Sequence, residues 1–183
     1  MNISPTIDHN LMLALNGDLG SFADSLMWVS SSKLAIVPLV LYALYLFYRR
    51  YGVKNMIFAL IIIALMVAVA DQTSQFFKLN LSRLRPSREP LLEGLIHTVN
   101  GYKGGMYGTV SAHAANSIAV LGMCAYFVSK KWYTTLSILL SLIICYSRIY
   151  LGVHYPLDIL WGMLLGSITA ILGVIAFKKI AKI

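Results

Sequence analysis

Five stretches of this chain, roughly 28–48, 56–77, 112–128, 132–150 and 157–177, are apolar over lengths that approach the hydrocarbon thickness of a bilayer. A helix needs about 20 predominantly apolar residues to cross that layer, and every backbone N–H and C=O inside it must be satisfied internally. The pattern therefore predicts an all-α polytopic membrane helix bundle of about five spanning helices, forming one domain over residues 1–183 with no repeat and no soluble module. Composition agrees, with 58% hydrophobic and 12% charged residues and a mean hydropathy of +0.74, well beyond soluble values. Gly52, the glycine-rich stretch 101–108 and Pro156 fall between the segments, where helix breakers belong. Ser111 and Asp158 occupy capping and first-turn positions.

The first 25 residues do not read as a cleaved signal peptide, because a basic leading region is missing and Asp8, Asn10, Asn16, Gly17 and Asp18 interrupt the apolar stretch. Leu11, Leu15, Leu19 and Phe22 recur at helical spacing with Asn16 and Asp18 off that stripe. This predicts an amphipathic helix lying in the interface.

Net charge is +8, but the fifteen Lys and Arg cluster in the short connections rather than along one helical face, which excludes a nucleic-acid groove. Arg49, Arg50 and Lys54, then Lys130 and Lys131, then Lys178, Lys179 and Lys182 follow the first, third and fifth segments. Short basic loops stay cytoplasmic, so the carboxyl terminus is expected inside and the N-terminal helix outside. The connections 78–110 and 151–156 then face the outer compartment. The first of these is itself basic, with Lys78, Arg83, Arg85, Arg88 and Lys103 against Glu89 and Glu93, and needs a functional reason. Cys124 and Cys145 lie inside apolar runs and read as small core residues.

Lys78, Arg83, Arg85 and Arg88 form a dense cationic patch where the second segment ends. A phosphoryl group in its transition state spreads charge over its equatorial oxygens, and fixed Lys and Arg donors in a low-dielectric pocket stabilise it. The same patch would also suit anionic headgroups. His113 follows Ser111 at the predicted start of the third helix, where unpaired N–H groups favour an anion. His154 precedes Pro156, and Asp158 follows four positions later. A carboxylate accepting from one ring nitrogen leaves the other as nucleophile or base. Arg148, at the end of the preceding segment, would add an oxyanion donor.

Lysine, six residues, Arg-Pro; Ser-x-His; then Ser-Arg, five residues, His, three residues, Asp: over about residues 70–165 this composite resembles the type 2 phosphatidic acid phosphatase family of membrane lipid phosphatases. The resemblance implies His154 as phosphoryl-accepting nucleophile, Asp158 as its orienting partner and His113 as general acid. It implies Lys78, Arg85, Ser111, Ala112 and Arg148 as the phosphate cradle, and no metal or other cofactor. The family's usual Pro-Ser-Gly-His is Val110-Ser111-Ala112-His113 here, so a left-handed backbone at that position would strain Ala112.

Asp71 shares a helical face with Gln75 and Lys78 and is expected to pair internally or to orient Lys78. Asn116, one turn beyond His113, is expected either to support it or to bond between helices. His9 and His97 lack partners at informative spacing and are expected to be solvated. Trp28, Trp132, Tyr133 and Tyr150 read as interfacial anchors.

The expectation is a metal-independent lipid phosphatase working through a phosphohistidine at the outer face of a bacterial-type inner membrane. Undecaprenyl diphosphate is the favoured substrate, with phosphatidylglycerol phosphate and lipid A phosphates as rivals. Its partners are that substrate and membrane lipids, with no nucleic acid and no obligate protein partner. A transporter using the same cations should show internal repeats and broken mid-membrane helices, and neither is visible.

Overall fold

The computed structural model describes residues 6–182, so the first five residues of the predicted N-terminal helix lie outside the described residues. The elements are α1 (Ile7–Leu15), α2 (Ser21–Ser30), α3 (Val37–Leu81), α4 (Ala112–Val128), α5 (Lys131–Tyr150) and α6 (Pro156–Ala181). Leu34–Leu81, Lys131–Tyr150 and Pro156–Ala181 are long and apolar enough to cross a membrane, and α4 is a shorter apolar helix.

α3 is broken at Gly52, where φ is 78° and ψ 170°. Ile36 and Val67 would be about 46 Å apart along a straight helix, yet they line one cavity. The chain therefore reverses at Gly52, whose positive φ suits glycine, and the two halves of α3 occupy the first two predicted segments. The first half begins at Val37 rather than near 28, because Ser21–Ser30 form α2 and the Ser32 hydroxyl caps the short turn that follows.

Helix α4 packs against α3, α5 and α6. Its approach to α6 is closest at two glycines: a Cβ on Gly162 would stand 2.5 Å from the Ser111 carbonyl oxygen, and one on Gly166 2.5 Å from that of Ala115. Small residues four apart let helix backbones meet in this way where apolar solvent supplies no hydrophobic drive. At the far end Phe47, Phe127 and Phe177 form an aromatic cluster with ring centroids 4.9–5.4 Å apart. Arg49, Arg50 and Lys130 gather beside it around a cavity of about 300 Å³. The predicted basic connections thus share one end of the bundle.

The N-terminal segment differs from expectation. It forms two helices, and α1 turns its polar side inward: Asp8, His9 and Asn16 are buried while Leu11, Leu15, Leu19 and Phe22 stay exposed. Asn16 Nδ2 donates to the carbonyls of Ile149 and Tyr150 at 2.9 and 2.8 Å, and its Oδ1 accepts from His97 N–H at 2.7 Å. The last carbonyls of α5 and the His97 backbone satisfy Asn16, and Arg83 satisfies Asp8. For the same reason neither histidine is solvated. His9 caps α1 reciprocally with Thr6, and His97 Nε2 meets Asp24 Oδ1 at 2.9 Å. Tyr133 and Tyr150 are also not interfacial anchors; both are fully buried, bonding the Leu39 carbonyl and Asp24 through their hydroxyls. Trp28 and Trp132 remain exposed, and both cysteines are buried free thiols.

Candidate active site

Pro156 opens α6, and its fixed φ suits the first helical position. Asp158, one turn in, accepts the Tyr155 N–H on Oδ2 at 3.1 Å, which ties its carboxylate to the helix start. The same oxygen stands 3.1 Å from His154 Nδ1. With Nδ1 carrying the proton toward the carboxylate, Nε2 holds the lone pair. His154 itself is fixed by its backbone, since Val153 and His154 N–H both donate to the Arg148 carbonyl at 3.1 and 3.2 Å. Burial first, and then the fields of Arg85, Arg148, Lys78 and His113, hold this imidazole well below its ordinary pKa. It is therefore neutral at physiological pH.

His154 lines a cavity of about 290 Å³ whose wall also carries Lys78, Arg85, Arg148, Ala112 and His113. Arg85 is held by the connections around it: Nε donates to the Tyr107 carbonyl at 3.0 Å and Nη1 to that of Val153 at 2.9 Å. Arg148 is buried, and its Nε has no hydrogen-bond partner among the described residues. Three cations and two imidazoles from five parts of the chain thus converge on one pocket, as fixed dipoles and charges should for a migrating phosphoryl group.

Ser111 caps α4, its hydroxyl accepting from Ala114 N–H at 3.4 Å while its own N–H donates to the Asp158 carbonyl at 3.0 Å. The two helix starts that carry His113 and Asp158 are thereby joined directly. Ser111 is fully buried. Ala112 is the first residue of α4 and is absent from the left-handed positions of the described chain, so the family's glycine is not needed here for backbone conformation. Ser74 on α3 anchors the entry to this turn by donating to the Val110 carbonyl at 2.6 Å.

Several contacts lack a signal in sequence pattern. Arg83 donates from Nη1 to Asp158 Oδ1 at 3.2 Å and from Nη2 to Asp8 Oδ2 at 2.6 Å, with its guanidinium 3.8 Å above the Tyr155 ring. Asp8 in turn accepts the Leu157 N–H at 3.1 Å, capping α6 from a distant helix. The spacing of Arg83 and Asp8 could not have shown a contact across 75 residues. Gly104 and Gly108 matter as close approaches rather than as mere breakers: a Cβ on Gly108 would stand 3.0 Å from Arg85 Cγ and 3.4 Å from His154 Nδ1. Asp71 and Asn116 are paired, Nδ2 donating to Oδ1 at 2.8 Å, and both face the cavity.

Residues 59–182 match the PAP2 superfamily. The chain is 35% identical over 165 residues to a lipid A 4'-phosphatase of Porphyromonas gingivalis, covering 88% of this chain and 69% of that protein. It is 28% identical over 175 residues to an Escherichia coli protein provisionally named an undecaprenyl-diphosphatase, covering 87% and 79%. Among solved structures, the PAP2-type phosphatidylglycerolphosphate phosphatase of Bacillus subtilis superposes with a TM-score of 0.71 at 20% identity, covering 94% of this chain and 85% of that one. That likeness establishes the fold.

Proposed function

This chain belongs to the PAP2 superfamily, and from that premise we propose that it is a membrane phosphatase that removes phosphate from a lipid through a phosphohistidine at His154. The carrying observation is the His154–Asp158 bond, which leaves Nε2 as the basic nitrogen in a cavity ringed by Lys78, Arg85 and Arg148. Nε2 attacks phosphorus in line. The P–O bond to the lipid breaks, and His113 gives its proton to the departing oxygen. His113 then takes a proton from water, whose oxygen attacks the phosphohistidine, and the P–N bond breaks to free phosphate and His154. The three cations and the first N–H groups of α4, including that of Ala112, hold the phosphate oxygens in both steps. Ser111 keeps that helix start in place. Each step is proton transfer or phosphoryl transfer between groups of this chain, substrate and water.

Arg49, Arg50, Lys130 and Lys178 at the opposite end support a cytoplasmic placement of that end. The cavity and its substrate then lie at the outer face of a bacterial-type inner membrane. For the lipid itself, the relative at 35% identity favours a phosphorylated lipid A type headgroup over undecaprenyl diphosphate, the substrate expected from the sequence. The test is phosphate release by the purified protein from lipid A, undecaprenyl diphosphate, phosphatidylglycerol phosphate and phosphatidic acid. Release from at least one, abolished in a folded His154→Ala variant, is expected; undiminished release in that variant contradicts the assignment.

A further inference from the structure

We propose that Asp71 and Asn116 form a headgroup-reading subsite beneath the phosphate cradle, selecting phosphomonoesters whose leaving alcohol carries neighbouring hydroxyl or amide N–H donors and rejecting diphosphates. The inference rests on the phosphatase reading above and names the substrate class of the same cavity.

Three helices line that cavity in the same order from its outer end. On α3, Lys78 is followed by Asp71, seven residues and about 10 Å deeper, and then by Val67. On α4, His113 is followed one turn in by Asn116. On α5, Arg148 is followed by Ile144. A bound molecule therefore meets cations and imidazoles first, a polar level second and apolar walls last, the order of phosphate, headgroup and chains in a lipid. Asp71 and Asn116 are the charged and amide groups of the middle level, and they lie on the side of His113, where the leaving oxygen departs.

The chemistry of that level is weighted toward acceptors, the Asp71 carboxylate and the Asn116 carbonyl set against the one Asn116 N–H left over from the pair. The Asn116 amide donates to Asp71 Oδ1, leaving its own Oδ1 buried with no hydrogen-bond partner among the described residues. The carboxylate presents further lone pairs beside it. A buried carbonyl is unfavourable until a donor meets it, and a sugar or glycerol headgroup seated against Asp71 and Asn116 supplies one. The leaving fragment of a diphosphate instead retains an anionic phosphate and would place it against a carboxylate. Phosphatidic acid carries no donor next to its phosphorylated carbon.

The test is kcat/KM of the purified full-length protein on a lipid A phosphate (amino sugar), phosphatidylglycerol phosphate (polyol), undecaprenyl diphosphate and phosphatidic acid, for wild type, Asp71→Asn and Asn116→Leu. Wild type should prefer one of the first two, and the winner identifies sugar or polyol. Each variant should lower the ratio of donor-bearing substrate to undecaprenyl diphosphate about tenfold, mainly through KM, the scale of losing one charged or buried hydrogen bond to substrate. Ratios that stay within about twofold of wild type in both folded variants, or activities that fall equally on all four lipids, overturn the subsite. Absence of phosphate release by wild type on every lipid is a different failure, which removes the phosphatase reading and this one with it.

Discussion

Asp8 and Arg83 meet at 2.6 Å, Oδ2 to Nη2, and through Arg83 the N-terminal helix reaches Asp158 and His154. A helix predicted to lie on the membrane surface therefore supplies a buried carboxylate that orders the proposed catalytic pair. Asp8→Asn removes the charge that balances Arg83, so the full guanidinium field falls on Asp158, weakening its hold on His154 Nδ1–H. A kcat loss of roughly threefold to tenfold with little change in KM is expected, since positioning a base partner acts on the transition state. Asp8→Ala should in addition lower stability by about 2 kcal/mol, read as a lower Tm, through loss of a charged hydrogen bond and an α6 cap.

His154 is held neutral by burial and nearby cations, and the sign of its pH response follows. Its folded pKa lies below the ordinary 6.5, so the unfolded chain binds the proton more readily, and this residue favours folding above the unfolded pKa and loses that contribution as pH falls. Titration of ring-labelled histidine by NMR should find His154 still neutral at pH 6.5, with protonation only in more acidic solution. A midpoint at or above 6.5 would contradict the buried, cation-surrounded site.

Loss of the proposed acid should depend on the leaving group. His113→Gln is expected to slow release from an alkyl phosphate lipid by about 10²–10⁴-fold, and far less from an aryl phosphate whose oxygen leaves without a proton. Equal losses on both would assign His113 to binding instead.

The α4–α6 contact makes a sharp structural prediction. Gly162→Ala places a methyl group 2.5 Å from the Ser111 carbonyl, against backbone that cannot rotate away. The helices must separate, parting the cap that holds His113 from the turn that holds His154. A lower Tm together with at least a tenfold fall in kcat is expected, whereas Gly122→Ala, 3.4 Å from the Ala170 side chain, should change neither appreciably.

No step above uses a metal. Phosphate release should be unchanged in excess chelator, and activity lost there and restored by a divalent cation would instead indicate metal-assisted hydrolysis.

Much of this arrangement is readable in sequence because each motif sits at a helix end whose signal is local: Ser111 before α4, Pro156 opening α6, Arg148 near the end of α5. Apolar length marks the segments, and Gly52 marks the break between the first two, where the structure gives it a positive φ. What could not be read were contacts made across the fold. Polar residues on and just after α1 look solvent-facing by periodicity, yet Asp8 meets the Arg83 cation and Asn16 the last carbonyls of α5. Tyr133 and Tyr150 looked like interfacial rings, but a carbonyl and a carboxylate inside the bundle satisfied their hydroxyls. Gly104 and Gly108 looked like simple breakers because their role is the absence of a side chain beside Arg85, which only the packed structure reveals.

The central claim is the covalent intermediate, and rapid acid-free quenching of the purified protein with a ³²P-labelled lipid substrate tests it most directly. The account predicts label on the protein that is stable to base, labile to acid, maps to His154 and vanishes in His154→Ala. Steady turnover with no trapped label at any quench time, or label that persists in the folded His154→Ala variant, would contradict it.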